Sequence, residues 1–215
     1  MRIGVYGSAF DPFTNAHGYT ASTVAGRRRL DKVIFLPSAD LRRDKALQAS
    51  HEHRWNMLLL GIQHSPLNQF GERMFEADRT EMDALAGMHY TLHTMNALKS
   101  RYPEDELYFI LGADLLPHLH EWRHGEELVA TNKFIVMARA GYDMLEIIAR
   151  SPLLRKYEMN FDLMHKGLQI EISSTYIRDE LGMGVEMPRY LMPRGVEEYI
   201  LEHRLYHPPV HSKHA

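Results

Sequence analysis

The chain has 215 residues, 45% of them hydrophobic, enough to bury a substantial core at the upper end of what one domain occupies. Its 25 basic and 28 acidic residues are interspersed and leave a formal charge of −3, so no global field recruits nucleic acid or anionic membrane, and any anion site must be local. Cysteine is absent, which removes disulfides, thiolate nucleophiles and zinc–thiolate centres and fits a reducing cytoplasm.

The first apolar run, Ile3 to Tyr6, stops at Gly7 and reads as a buried strand, with no export signal or membrane anchor expected. A loop follows. Ala16, Tyr19, Thr23 and Val24 then recur at helical spacing before Arg27, Arg28 and Arg29, a cluster that favours a helix C-terminus. Next come a strand at Lys32 to Leu36, a helix around Glu52 to Gln63, a strand around Arg73 to Ala77 and a helix from Thr91 to Lys99. Strands are predicted at Leu107 to Leu111, Lys133 to Ala138 and Leu168 to Ile172. Helices are predicted at Asp143 to Arg150 and Thr175 to Leu181, and a last one through His203 with Pro193 in its first turn. Strands alternating with helices imply an α/β fold, a mostly parallel, Rossmann-like sheet covered on both faces. A single domain over residues 1–206 and a loose tail over 207–215 are expected. In such sheets ligands collect at the carboxyl ends of the strands. The loops after Tyr6, Leu111 and Ile172 therefore carry the expected chemistry.

The first loop, Gly7-Ser8-Ala9-Phe10-Asp11-Pro12-Phe13-Thr14-Asn15-Ala16-His17, sets a hydroxyl and an imidazole three positions apart at a helix start. Unpaired N–H groups and the helix dipole favour an anion there, and Thr14 and His17 could face one phosphate. Spacing alone equally allows Thr14 or Asn15 to be a helix cap and His17 a satisfied polar residue. The last loop, Glu171-Ile172-Ser173-Ser174-Thr175-Tyr176-Ile177-Arg178, sets three hydroxyls at a strand-to-helix junction with an arginine one turn on. It too can either cap a helix or cradle phosphate.

Together these two segments resemble the signatures of the nucleotidylyltransferase superfamily, Gly-x-Phe-Asp-Pro leading into His-x-Gly-His or Thr-x-Gly-His, and Ile-Ser-Ser-Thr-x-Ile-Arg. Phe10, Asp11, Pro12, Thr14 and His17 fit the first; Ser8, Ala9 and Ala16 depart from it. The resemblance implies that His17, helped by Thr14, stabilises charge on the ATP phosphates. Ser174 and Thr175 would bind phosphate oxygens, Arg178 would neutralise the departing pyrophosphate, and Gly7, Ser8 and Phe10 would belong to the ATP site.

The middle of the chain, Gly112-Ala113-Asp114 after a strong strand and then Trp122, is similar to the nicotinate mononucleotide adenylyltransferase branch. By that resemblance Gly112 and Asp114 approach the adenosine ribose, and Trp122 offers its flat face to the pyridine ring. Tyr90-Thr91 would begin the helix that helps hold the nicotinate carboxylate, with His89 in place of a serine. Within Arg42-Arg43-Asp44-Lys45 only Lys45 matches the Pro-Pro-His-Lys of many relatives; it reads either as a phosphate contact or as a solvated loop residue. His53-Arg54-Trp55-Asn56-Met57 resembles a His-Arg-x-x-Met helix of the same branch.

The implied reaction joins nicotinate mononucleotide to the AMP of ATP, with Mg²⁺ travelling with ATP and no dedicated protein metal site. Alternative readings are a phosphopantetheine adenylyltransferase-like enzyme, to which Thr14 inclines, and a nucleotide-binding regulator without turnover. The sequence leaves open the choice between nicotinate and nicotinamide mononucleotide, and whether the chain forms a homo-oligomer.

Overall fold

The computed structural model describes residues 1–39, 47–63, 74–85, 90–167, 172–186 and 190–208. Six parallel strands form one sheet: β1 (Arg2–Ser8), β2 (Lys32–Pro37), β3 (Phe75–Ala77), β4 (Glu106–Gly112), β5 (Lys133–Met137) and β6 (Phe161–Met164). Their spatial order is β3-β2-β1-β4-β5-β6. The chain therefore winds outward in one direction from β1 through β3 and in the other from β4 through β6. Between β1 and β4 the direction reverses, and the connections leaving their carboxyl ends separate to opposite faces.

The strands are apolar on both faces because both are covered. In β4, Leu107, Phe109 and Leu111 join one buried cluster, whereas Tyr108 and Ile110 join the other. In β2, Ile34 and Leu36 alternate with Val33 and Phe35 in the same way, following the two-residue period of a strand. The first cluster is closed by α3 (Thr91–Arg101), a 3₁₀ helix (Ala113–Glu121), α4 (Gly125–Thr131), α5 (Met144–Arg150) and α6 (Pro152–Lys156). The second is closed by α1 (Asn15–Arg28) and α2 (His51–Gln63). A third, smaller cluster seats α7 (Ser174–Gly182) and α8 (Arg194–Glu202) against the outer side of α2 through Met57, Ile177, Leu181, Val196 and Ile200. Among the described residues no helix is long and apolar enough to cross a membrane.

The elements depart from the sequence expectation in instructive places. β6 and the 3₁₀ helix were not anticipated. Phe-Asp-Leu-Met is too brief to display a period, and its Asp162 is stabilised from outside by Arg28 Nε at 2.8 Å. The 3₁₀ helix contains Pro117, which lacks the N–H a longer α-helix would use. The strand predicted over Leu168 to Ile172 falls outside the described residues except for Ile172, which is not in a strand. β3 begins at Phe75 rather than Arg73, a residue outside those described. Pro193 and Asp143 are N-caps rather than first-turn residues; the Asp143 carboxylate accepts the Leu145 and Glu146 N–H groups.

One contact sets how α2 meets the loop after β1. Phe13 is 2% exposed, and its ring lies directly on the backbone of α2 at Gly61, where a Cβ would collide with the ring edge. Gly61→Ala should therefore destabilise the fold by about 1–3 kcal/mol through overpacking, although alanine is the better helix former. A lowered urea midpoint with unchanged slope is the expected result.

Candidate functional site

The loop after β1 is an interior structure. Phe10, Asp11, Phe13 and Thr14 are each no more than 2% exposed. Phe10 has φ 49, in the left-handed region, which turns its ring inward against Tyr6, Phe13 and Phe35. Its side chain is thus core, so the part expected of Phe10 in an ATP site can fall only to its backbone. The Asp11 carboxylate accepts the N–H of Gln48 at 2.8 Å, the N–H of Ala49 at 3.1 Å and the hydroxyl of Tyr206 at 2.7 Å. Arg54, fully buried on α2, donates to the carbonyls of Ala9 at 2.8 Å and Ser38 at 2.6 Å, clamping the exits of β1 and β2 together.

Thr14 caps α1, and its backbone N–H donates to His17 Nδ1 at 2.9 Å. A ring nitrogen that accepts a backbone N–H cannot carry a proton, so the neutral imidazole holds its hydrogen on Nε2. The Thr14 hydroxyl also lies 2.9 Å from Nδ1 and, facing an acceptor, donates to it. Thr14 therefore takes the helix cap, one of the two readings its spacing allowed, and orients His17. The imidazole is further held by edge contact with Phe10 and a tilted contact with Phe13, at centroid distances of 5.0 and 5.5 Å.

The last loop comes to the first. Ser173 caps α7 by accepting the Tyr176 N–H at 3.1 Å. The Ser174 hydroxyl donates to the Pro12 carbonyl at 2.8 Å, and Arg178 Nη1 donates to the Asp11 carbonyl at 2.7 Å, across 167 positions of sequence. Arg178 Nη2 reaches the hydroxyl of exposed Thr175 at 3.3 Å, while its Nε is buried without a hydrogen-bond partner among the described residues. The amino ends of α1 and α7 thus sit on one loop with a fixed guanidinium beside them, the Asn15 N–H donating to the Leu191 carbonyl and the Tyr176 N–H to Ser173.

Across the reversal point a cleft of about 120 Å³ is lined by Gly7, Ser8, Leu36, Ser38, Glu81, Thr91, Phe109, Leu115 and Trp122. Gly7 and Ser8 from β1, Thr91 from α3 and Trp122 after the 3₁₀ helix were expected there; buried Glu81, Ser38 and Phe109 were not. Trp122 rests edge-on against Phe109 at 6.2 Å. Tyr90, the residue before α3, lies outside that lining, near His93 and His124, with the Arg123 guanidinium 5.6 Å from its ring centroid. At the end of β4, Gly112 leaves room for the Asp114 carboxylate, which a Cβ would strike, and Arg139 approaches that carboxylate at 3.4 Å. Burial pushes the nearby Tyr6 phenol up to about 12, so it remains a neutral hydroxyl. Lys45 lies outside the described residues.

The strand order with its reversal point defines a Rossmann-like α/β protein, a fold that binds ligands at that point. Residues 5–180 match the cytidylyltransferase-like family, and the chain belongs to that family. Among its curated relatives, the "Probable nicotinate-nucleotide adenylyltransferase" of Rubrobacter xylanophilus is 32% identical over 208 residues, covering 96% of this chain and 92% of the relative. The protein of the same name from Thermus thermophilus is 34% identical over 206 residues, covering 96% of this chain and 100% of the relative. In fold the chain is similar to Plasmodium falciparum nicotinic acid mononucleotide adenylyltransferase complexed with NaAD. The TM-score is 0.75 at 24% identity, over 95% of this chain and 97% of that one.

The expected consequence of the Arg54 clamp is testable apart from catalysis. Arg54→Met keeps the bulk but leaves two buried carbonyls without donors, and should cost about 2–4 kcal/mol in unfolding free energy, measured by thermal or urea denaturation.

Proposed function

We propose that the protein transfers AMP from ATP to nicotinate mononucleotide, giving nicotinate adenine dinucleotide and pyrophosphate. The observation that carries this reading is the Arg178–Asp11 hydrogen bond, which assembles the His17 loop and the α7 amino terminus into one anion cradle next to the Trp122 cleft. It is supported by nearly full-length similarity to relatives bearing the name of that activity.

The chemistry asks for little covalent participation by the protein. A phosphate oxygen of nicotinate mononucleotide attacks the α-phosphorus of ATP in line, the bond from that phosphorus to the β-bridging oxygen breaks, and pyrophosphate departs with its Mg²⁺. Mg²⁺ enters as part of the ATP substrate and neutralises triphosphate charge. His17 donates Nε2–H to the phosphate oxygens, with Thr14 fixing the ring through Nδ1. Arg178, Ser174 and Thr175 hold the β- and γ-phosphates, the guanidinium taking up charge as it develops on the leaving group. Ser8 and the backbone of Gly7 and Phe10 border the nucleotide, Lys45 approaches its phosphates, and Asp114 accepts from the ribose hydroxyls beside Gly112. The pyridine ring lies on Trp122, and Tyr90 and Thr91 present the amino end of α3 to the nicotinate carboxylate, so the acid is preferred to the amide. A cytoplasmic setting belongs to the same reading, because its substrate is ATP.

The decisive assay is pyrophosphate release from ATP and Mg²⁺ with nicotinate mononucleotide, nicotinamide mononucleotide or phosphopantetheine supplied separately. Turnover with the nicotinate nucleotide is expected. Release with phosphopantetheine alone would reassign the acceptor, and ATP binding without release under any condition would favour a regulator. His17→Ala should lower turnover about 10²- to 10³-fold, far more than it lowers stability, where losing the acceptor of the Thr14 N–H costs about 1–3 kcal/mol. Trp122→Ala should raise KM for the pyridine nucleotide about tenfold and leave KM for ATP close to its original value.

A further inference from the structure

We propose that Tyr206, beyond the last helix, is a positioning residue that holds Arg178 in register for pyrophosphate by latching the Asp11 carboxylate. The inference rests on the reading of Arg178 as the pyrophosphate ligand.

Asp11 is 1% exposed, and among the described residues no lysine or arginine side chain pairs with its carboxylate. Its charge is balanced by three hydrogen-bond donors, of which two are backbone N–H groups and the third is the Tyr206 hydroxyl at 2.7 Å. The phenol is the donor: burial first, then the Asp11 charge, pushes its pKa far above the ordinary tyrosine range, so it is never an anion under working conditions. The main-chain carbonyl of this same Asp11 is the anchor for Arg178 Nη1. Tyr206 is thus one residue removed from the guanidinium: it fixes the side chain whose backbone fixes the arginine.

The segment that delivers the hydroxyl is set with unusual firmness for a stretch after a final helix. Arg204 and Tyr206 both occupy the left-handed region, with φ of 50 and 65, conformations that non-glycine residues hold only where surroundings impose them. The Leu205 N–H closes onto the Ile200 carbonyl at 3.0 Å, and Leu205 and Tyr206 pack against the cluster between α2, α7 and α8. Removing the hydroxyl leaves Asp11 Oδ1 with the single, longer bond from Ala49. The loop can then relax by a fraction of an ångström, and a charge clamp misplaced by that much loses much of its grip.

The test measures magnesium pyrophosphate affinity by calorimetric titration in the full chain, comparing the parent, Tyr206→Phe, Arg178→Ala and the double variant. Ile200→Val serves as a control that loosens the same cluster without touching the Asp11 network. Tyr206→Phe should bind pyrophosphate about tenfold more weakly, whereas Ile200→Val keeps parental affinity despite a lowered melting temperature. In the Arg178→Ala background, Tyr206→Phe should change affinity less than about twofold, because the two residues act through one contact. Unchanged affinity in Tyr206→Phe, or an undiminished effect in the double variant, would overturn the proposal. A parent that binds pyrophosphate and shows this coupling, yet turns over no acceptor, would sink the proposed reaction while leaving the latch standing. A parent without pyrophosphate affinity would sink both.

Discussion

A buried carboxylate organises the structure around the site. Burying an ionised group is tolerable only where its lone pairs are met, and Asp11 meets them with three donors from two distant stretches of chain. Because those donors come from residues 48–49 and from Tyr206, the loop after β1 cannot adopt its conformation until α2 and the C-terminal segment have docked. The carbonyl of the same residue then receives Arg178 from α7. The junction of the first loop with α7 is therefore a product of global folding, and its parts have no fixed geometry in isolation.

The electrostatic design follows from the net charge of −3. Under the proposed reaction an acidic chain must hold two highly charged nucleotides without a diffuse positive surface, and the attraction would come from the amino ends of α1 and α7, the Nε2–H of a neutral imidazole and Arg178. Keeping His17 neutral has a particular merit. Its Nδ1 accepts the Thr14 N–H, which fixes both tautomer and ring plane, and the donor on the opposite edge is then directed with little side-chain entropy left to lose.

The cleft on the other side of the reversal point is built on a different principle. Phe109 on β4 supports Trp122 edge-on, so the indole face is held by the sheet itself and not by a free loop. One set of contacts is polar and tied to the β1 side, the other flat and apolar and tied to the β4 side. Two substrates with unlike ends can be aligned across that boundary because the strand order parts the connections there.

The alternation of apolar runs with helical periods was sufficient in sequence to yield a parallel α/β sheet, and the bounds of β1, β2, β4 and β5 were legible to within a residue or two, since fully buried strands leave continuous apolar runs. The two hydroxyl-rich loops were likewise visible as helix starts, because capping residues at strand-to-helix junctions are local signals. What tertiary structure decided was the job of each side chain within those loops: Phe10 turned into the core, Thr14 was committed to His17, and Ser174 was drawn to Pro12. Arg54, Gly61 and Tyr206 carry no local mark of importance, since their partners are Ala9 and Ser38, the Phe13 ring and Asp11. Such long-range contacts have no period or spacing; only the packed chain brings their two halves together.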